Sequence, residues 1–320
     1  MQDQAETKKK ENIMREAFAE GLMEAMKRNR DVVYLEADLA GALGTGNVFK
    51  RYPEQSFNVG IMEANMMGVA AGMSVNGKIP FIHSFGAFAS RRIADQLYLS
   101  GCYNGANVKV MGSDPGVAAE TNGGTHMPLE DMGVLRSFPG LTILDIADTN
   151  LMLSAVGKMA ETYGMFYVRF PRKGVINYYE EGTKFEFGKG MILREGTDIS
   201  IIACGLEVQE ALKAAGELER KGVSVQVVDM FTVKPIDRDL VIECAEKTGA
   251  VVTAENHNRI GGLGSAVAEV LVESCPVPMQ RIGSPDVFGE VGDRNFLMKK
   301  FGITAGDIVE AALKMVSRKV

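Results

Sequence analysis

The sequence has no tryptophan, three histidines and four cysteines in 320 residues. Cys102, Cys204, Cys244 and Cys275 are scattered with no C-x-x-C pair, so neither a zinc site nor a disulfide framework is indicated, and buried, reduced thiols are expected. No apolar run approaches the length needed to cross a bilayer, and the opening MQDQAETKKKEN lacks the apolar stretch of a secretory signal. A cytoplasmic protein without membrane attachment is the expectation. Basic excess is missing too: 35 Lys and Arg against 41 Asp and Glu give a formal charge of -6. That leaves no footprint for nucleic acid, and the one lysine run, Lys8 to Lys10, reads as a solvated end.

What is present suffices for a large core, since 46% of the residues are hydrophobic and the length suits two domains. VVYLEA (32–37), IPFIHS (79–84), VKVMG (108–112), LTILDIA (141–147) and MFYVRF (165–170) read as buried strands separated by helical patterns. After residue 173 the rhythm is lost in KGVINYYEEGTKFEFGKG, and a second set follows with strands at 198–205, 224–230 and 250–256. The pattern predicts an α/β protein of two consecutive three-layer α/β domains with mainly parallel sheets. Their expected limits are 10–173 and 191–320, with a linker at 174–190.

One carboxylate is oddly placed. In FNVGIMEANMMGVAAG (57–72), a strand-like stretch ends at Gly60 and helical spacing follows, putting Glu63 in a first helical turn among Ile61, Met62, Met66 and Met67. A first-turn carboxylate is commonly a solvated partner of the helix dipole, but a helix this poor in charge is expected to be buried. A buried carboxylate needs a partner or a proton. Further on, HSFGAFASRR spaces Phe85, Phe88 and Arg91 three apart. Two phenylalanines at that spacing are usually core; with the glutamate they suggest a flat heteroaromatic ligand, stacked on a ring and hydrogen-bonded at its edge.

G-I-M-E-A-N-M-M-G, then F-x-x-F-x-x-R followed by Asp95 and Gln96, then G-G-T-H-M-P-L-E-D and V-R-F-P-R-K-G, together resemble the pyrimidine-binding domain of transketolases. AENHNRIGGLGSAVAEVL (254–271) resembles the transketolase C-terminal domain, and the likeness runs over residues 10 to 318. It implies thiamine diphosphate as cofactor. In that family a glutamate, matched by Glu63, hydrogen-bonds a ring nitrogen of the aminopyrimidine and favours the tautomer that removes the thiazolium proton. The apolar neighbours would favour a carboxyl able to share a proton near neutral pH. By the same resemblance Phe85 and Phe88 wall the aminopyrimidine pocket with Arg91 beside it. Asp38 and Leu39 border the thiazolium, and His126 contacts substrate and assists proton transfer. Arg15 and Arg172 match arginines that bind a sugar-phosphate tail. His83 and His257 lie near plausible pockets, but an isolated histidine more often makes a structural hydrogen bond. GGLG at 261–264 could accept a phosphate at a helix N-terminus, although the family match makes it a turn; GALGTG (41–46) reads as a loop.

The chain has no GDG, the start of the family's diphosphate- and magnesium-binding sequence. The resemblance therefore implies one subunit of a split transketolase. An N-terminal partner subunit would hold diphosphate and Mg2+ in a two-plus-two complex, with no metal site here. Related alternatives are the β subunit of a 2-oxo acid dehydrogenase and a relative of 1-deoxyxylulose-5-phosphate synthase. A non-catalytic scaffold is the alternative of another class. One departure bears on the substrate: Asn122 stands where transketolases carry an aspartate four residues before the histidine. Ala42, and Ser113 or Asp114, fall where a phosphate-holding serine and histidine would be. Two-carbon transfer from a branched, deoxy or sulfonated anionic sugar is expected, against a standard sugar-phosphate substrate with a rearranged loop.

Overall fold

The computed structural model describes residues 12–319, so the lysine run at 8–10 lies outside the described residues. In chain order the strands are β1 (Asn12–Ile13), β2 (Val32–Glu36), β3 (Ser56–Asn58), β4 (Ile79–Phe85), β5 (Lys109–Ser113), β6 (Leu141–Asp145) and β7 (Met165–Phe170). Then come β8 (Gly174–Val175), β9 (Met191–Arg194), β10 (Ile199–Ala203), β11 (Val225–Asp229), β12 (Thr232–Lys234), β13 (Val251–Asn258) and β14 (Met279–Ser284). Of the two large sheets one has the order β12-β6-β7-β5-β4-β2-β3 and the other β14-β13-β10-β11-β9, while β1 and β8 form a separate two-stranded pair. Pairing is parallel except at one edge of each, β12 on β6 and β9 on β11. The chain is therefore α/β with mainly parallel sheets, and no helix among the described residues is long and apolar enough to cross a membrane.

Strand alternation explains the layers. Val33 and Leu35 of β2 pack with Met66, Met67 and Ile82, whereas Tyr34 packs with Phe18 and Phe81 on the other face. The same alternation on β4 sends Ser84 toward the helix Glu63–Val75 and its neighbour His83 to the opposite face. Register then aligns the carboxyl ends: Glu36 pairs with His83, Phe85 with Ser113, and Ser113 with Phe170. The loops leaving these ends carry Asp38, Phe88, Asp114 and Arg172, and in open parallel sheets that edge is where ligands bind.

The two halves are tied in ways the sequence did not show. β12 follows β11 yet joins the first sheet, pairing Thr232 with Leu144. Arg169 is fully buried and donates to Asp131 (2.9 Å), to Asp145 (2.8 Å) and to the carbonyl of Asn256 (3.0 Å). The segment expected to be a linker, 174–190, makes defined contacts. Gly174–Val175 pairs with Asn12–Ile13, Tyr179 is buried, and the Tyr178 and Tyr179 hydroxyls both donate to Asp229. The thiols also differ from expectation, with Cys204 and Cys244 buried but Cys102 and Cys275 only partly so.

Burial pushes the Asp229 carboxyl up to about 8, and the tyrosine hydroxyls only partly offset it. A carboxyl raised above its unfolded value near 4 makes the native state hold the proton more tightly. Its stabilisation is therefore present at acid pH and is lost as pH climbs through about 8. Asp229→Asn keeps the acceptor for both tyrosines and removes this slope. Unfolding free energies from urea titrations at pH 6 and pH 9 should spread less in the variant than in the parent, by an amount on the order of a few kcal/mol. Equal slopes would show that Asp229 does not titrate in this way.

Candidate active site

Glu63 opens the helix Glu63–Val75 and is 2% exposed. Its burial does not come from all the residues expected: Ile61 and Met62 are 71% and 56% exposed, because the turn at Gly60 to Met62 faces them outward. Met66 and Met67, one turn on, are the apolar cover. The charge partner is Arg92, whose Nη1 lies 2.8 Å from Oε1 and 2.9 Å from Oε2, while the Ser84 hydroxyl donates to Oε1 at 3.1 Å. Oε2 thus accepts one hydrogen bond and keeps a lone pair.

Arg92, not Arg91, is the arginine on this carboxylate. Residues 91–93 form a 3-10 turn from which the two arginines of the doublet reach different carboxylates, Arg92 to Glu63 and Arg91 to Glu130. The Arg92 guanidinium also sits 4.0 Å from the Phe88 ring centroid. Arg91 instead contacts Glu130 at 3.1 Å and reaches the Thr125 carbonyl at 3.5 Å, beside His126.

Phe85, Phe88 and His126 form one aromatic cluster, with edge-to-face ring pairs at 5.7 Å (Phe85–His126), 5.1 Å (Phe88–His126) and 6.3 Å (Phe85–Phe88). Thr125 Oγ1 bonds His126 Nδ1 at 2.9 Å, turning Nε2 away from that contact. The Arg172 guanidinium lies 4.7 Å from the Phe85 centroid, and Asp114 fixes it through its Nε at 2.6 Å. Arg172 and Arg15 both donate to the Ala42 carbonyl, at 3.2 and 3.3 Å. Two cationic forks therefore converge beside the aromatic cluster.

Asp38 and Leu39 lie at the carboxyl end of β2. Asp38 is exposed and bonded to Asn58 at 3.0 Å; Leu39 precedes the short helix Ala40–Leu43. Asn122 is exposed at the end of the 3-10 segment Gly116–Asn122, and its side chain makes no hydrogen bond within the described residues. Asp38, Asp114 and Glu120 have φ of 59°, 56° and 48°, the only non-glycine positive values among the described residues. All three lie on segments that leave the carboxyl ends of β2 and β5, where backbone strain commonly concentrates at functional sites. Glu120, missed in the sequence, pairs with Lys173 and with Arg294 at 3.3 Å.

The remaining histidines are buried and hydrogen-bonded within the chain. His83 is fully buried between Glu36 (2.8 Å) and Ser113 (2.9 Å), and Glu36 also meets Tyr34 and Thr45. Burial lowers the His257 pKa to about 4, so it is neutral, donating from Nδ1 to the Asn258 carbonyl and accepting the Gly133 N–H on Nε2. The helix start at GGLG holds a carboxylate of the chain itself: Glu255 accepts from Leu263 N (2.7 Å) and Gly264 N (2.8 Å). No external phosphate is needed there.

These groups fit an aminopyrimidine: a buried carboxylate whose free lone pair can accept from a protonated ring nitrogen, and aromatic faces on the adjoining strand end. Among the described residues no group of three or more His, Cys, Asp or Glu could hold a metal ion.

The family described as "Transketolase, pyrimidine binding domain" matches residues 10–176, and "Transketolase, C-terminal domain" matches residues 188–308. The chain is 46% identical over 314 residues to a 6-deoxy-6-sulfo-D-fructose transketolase subunit of Clostridium sp. (strain MSTE9), covering 98% of each. It is 34% identical over 305 residues to an apulose-4-phosphate transketolase subunit of Phocaeicola vulgatus, covering 95% of this chain and 97% of that one. A solved structure titled "Split gene transketolase, inactive beta4 tetramer" superposes with a TM-score of 0.89 at 42% identity, over 97% of this chain and 100% of the other. The chain belongs to the transketolase family, as the subunit of a split transketolase that carries the pyrimidine-binding and C-terminal domains.

Proposed function

We propose that this subunit, with an N-terminal partner subunit, catalyses thiamine diphosphate-dependent transfer of a two-carbon ketol unit from an anionic ketose to an aldose. The observation that carries the reading is Glu63, a buried carboxylate steered by Arg92 and Ser84 at the edge of the Phe85–Phe88–His126 cluster. Bound thiamine diphosphate supplies the carbanion stabilisation that breaking a carbon–carbon bond next to a ketone requires.

Each step assigned to this chain is one of positioning or proton handling. Glu63 holds and exchanges a proton at the ring nitrogen of the aminopyrimidine, with Arg92 and Ser84 fixing which lone pair faces it. Phe85 and Phe88 give apolar faces to the ring and exclude water, and Asp38 and Leu39 border the reacting end. His126 moves a proton at a sugar hydroxyl, and Asn122 borders the sugar chain. Arg15 and Arg172 hold the terminal anion by charge-assisted bonds that now rest on the Ala42 carbonyl. Diphosphate and the divalent ion, Mg2+, are assigned to the partner subunit. The inactive assembly of four β chains in the solved relative supports that division, and two copies of each subunit are proposed.

For the substrate, Asn122 and Ala42 in place of a carboxylate and a hydroxyl support a sugar outside the ordinary pentose phosphates. The relatives' names point the same way, one specifying a 6-deoxy-6-sulfo ketose and one a branched sugar phosphate. A sulfonate is the better match for two arginine forks with no phosphate-holding serine or histidine beside them. Comparing kcat/KM of the reconstituted complex for 6-deoxy-6-sulfofructose, apulose 4-phosphate and xylulose 5-phosphate tests this. The sulfonated ketose should be preferred; xylulose 5-phosphate as the best of the three would overturn the substrate reading.

A further inference from the structure

The loop that carries Asn122 and His126 belongs to the first sheet's domain, yet residues of the second hold it at both ends. At the near end the Asn256 side chain accepts the Val117 N–H at 2.9 Å and donates to the Pro115 carbonyl at 2.8 Å. One amide thus bonds both sides of Gly116, as a paired strand would. Gly116 has φ +50°, and a Cβ there would lie 2.1 Å from Asn256 Oδ1, so the turn is shaped around this side chain. At the far end the Asn258 N–H donates to the Leu129 carbonyl at 2.7 Å, and His257 Nε2 accepts the Gly133 N–H at 3.2 Å. Three consecutive residues at the end of β13 therefore pin residues 115–117 and 129–133.

The anchor itself cannot drift. Asn256 is 1% exposed and its carbonyl accepts from Arg169, which two buried carboxylates hold. Between the pinned ends the chain turns outward through Thr121, Asn122 and Thr125 and presents His126 to Phe85 and Phe88. A second close approach supports the loop from the same side: a Cβ on Gly124 would meet the Gly289 carbonyl oxygen at 2.2 Å.

We infer that Asn256 is a positioning residue through which the C-terminal domain sets the backbone of the His126 loop. Resting on the proposed reading that His126 faces the sugar, this gives the C-terminal domain a part in ketol transfer beyond scaffolding. Losing the amide leaves the Val117 N–H and the Pro115 carbonyl unpaired together, which favours opening of the loop.

Amide hydrogen exchange on the full-length chain and on its complex with the partner tests the inference. Asn256→Leu should accelerate exchange over residues 116–128 roughly tenfold or more, while β10 and β11 keep parent rates. In the complex the same variant should lower kcat/KM for the ketose by about 10- to 100-fold. Proton exchange at the thiazolium carbon, which reports Glu63, should stay within about twofold of the parent by the same argument. If Asn256→Leu does not fold, Asn256→Asp carries the test, since it keeps one acceptor and loses the donor to Pro115. Parent-like exchange at 116–128, uniform acceleration throughout the chain, or thiazolium exchange falling in step with turnover would each overturn the inference. Absence of ketol transfer in the unmutated complex would instead defeat the functional reading and leave amide exchange to decide the positioning role.

Discussion

Replacing Glu63 by Gln in the reconstituted complex is expected to lower turnover by a factor on the order of 10² to 10⁴, the range for loss of a positioned acid–base group. The variant keeps an oxygen to accept from Ser84 and Arg92, which now bond Oε1 at 3.1 and 2.8 Å, so folding and assembly should survive. What is lost is a proton that can leave: an amide cannot exchange it with a ring nitrogen. Proton exchange at the thiazolium carbon should therefore slow in proportion to turnover, and exchange at the parent rate would remove Glu63 from the proposed role.

Arg172→Ala should produce the second largest loss, confined to charged sugars. The guanidinium offers a planar fork beside Phe85 and is preorganised by Asp114. A hydrogen bond to a charged group contributes about 1.5–3 kcal/mol, so kcat/KM for a sulfonated or phosphorylated ketose should fall by roughly 10- to 100-fold. A short uncharged ketose should lose much less. Arg172→Lys should restore little, because a point charge cannot reproduce the fork or the stack on Phe85. Equal losses on charged and uncharged ketoses would mean that the Arg172 side chain acts by holding the Asp114 carboxylate, the contact that Arg172→Ala removes.

Much of the architecture could be read in the chain because buried parallel strands are dense in β-branched and apolar residues. VVYLE and MFYVRF gave β2 and β7 within a residue of where they lie. β14 escaped because MQRIGS is half polar and only partly buried. β12 escaped because three residues, TVK, carry no periodicity, and their pairing is with a strand some ninety positions earlier.

At the site, residue type was legible and direction was not. Glu63 stood out by its apolar company, but composition could not show that Ile61 and Met62 face outward or that Arg92 supplies the charge. The resemblance set Arg91 beside the aromatic pocket, and no spacing in the sequence could show that its neighbour Arg92 is the one that meets Glu63. Glu255 filling the helix start after β13, and Asn256 reaching the loop at 115–117, depend on contacts across 8 and 139 positions. No window of sequence contains the second.

Ketol transfer, two-carbon transfer from a 2-oxo acid and synthesis of a deoxyketose phosphate share Glu63-type activation and differ in what becomes of the donor. The most direct measurement follows a ketose labelled with 13C at C1 and C2 through the complex of this chain, its partner subunit, thiamine diphosphate and Mg2+, with an aldose acceptor. The account predicts that both labels appear, still bonded, in a ketose two carbons longer than the acceptor, and that this chain alone transfers none. Label in carbon dioxide or in an acyl product, or transfer by the chain without its partner, would contradict it.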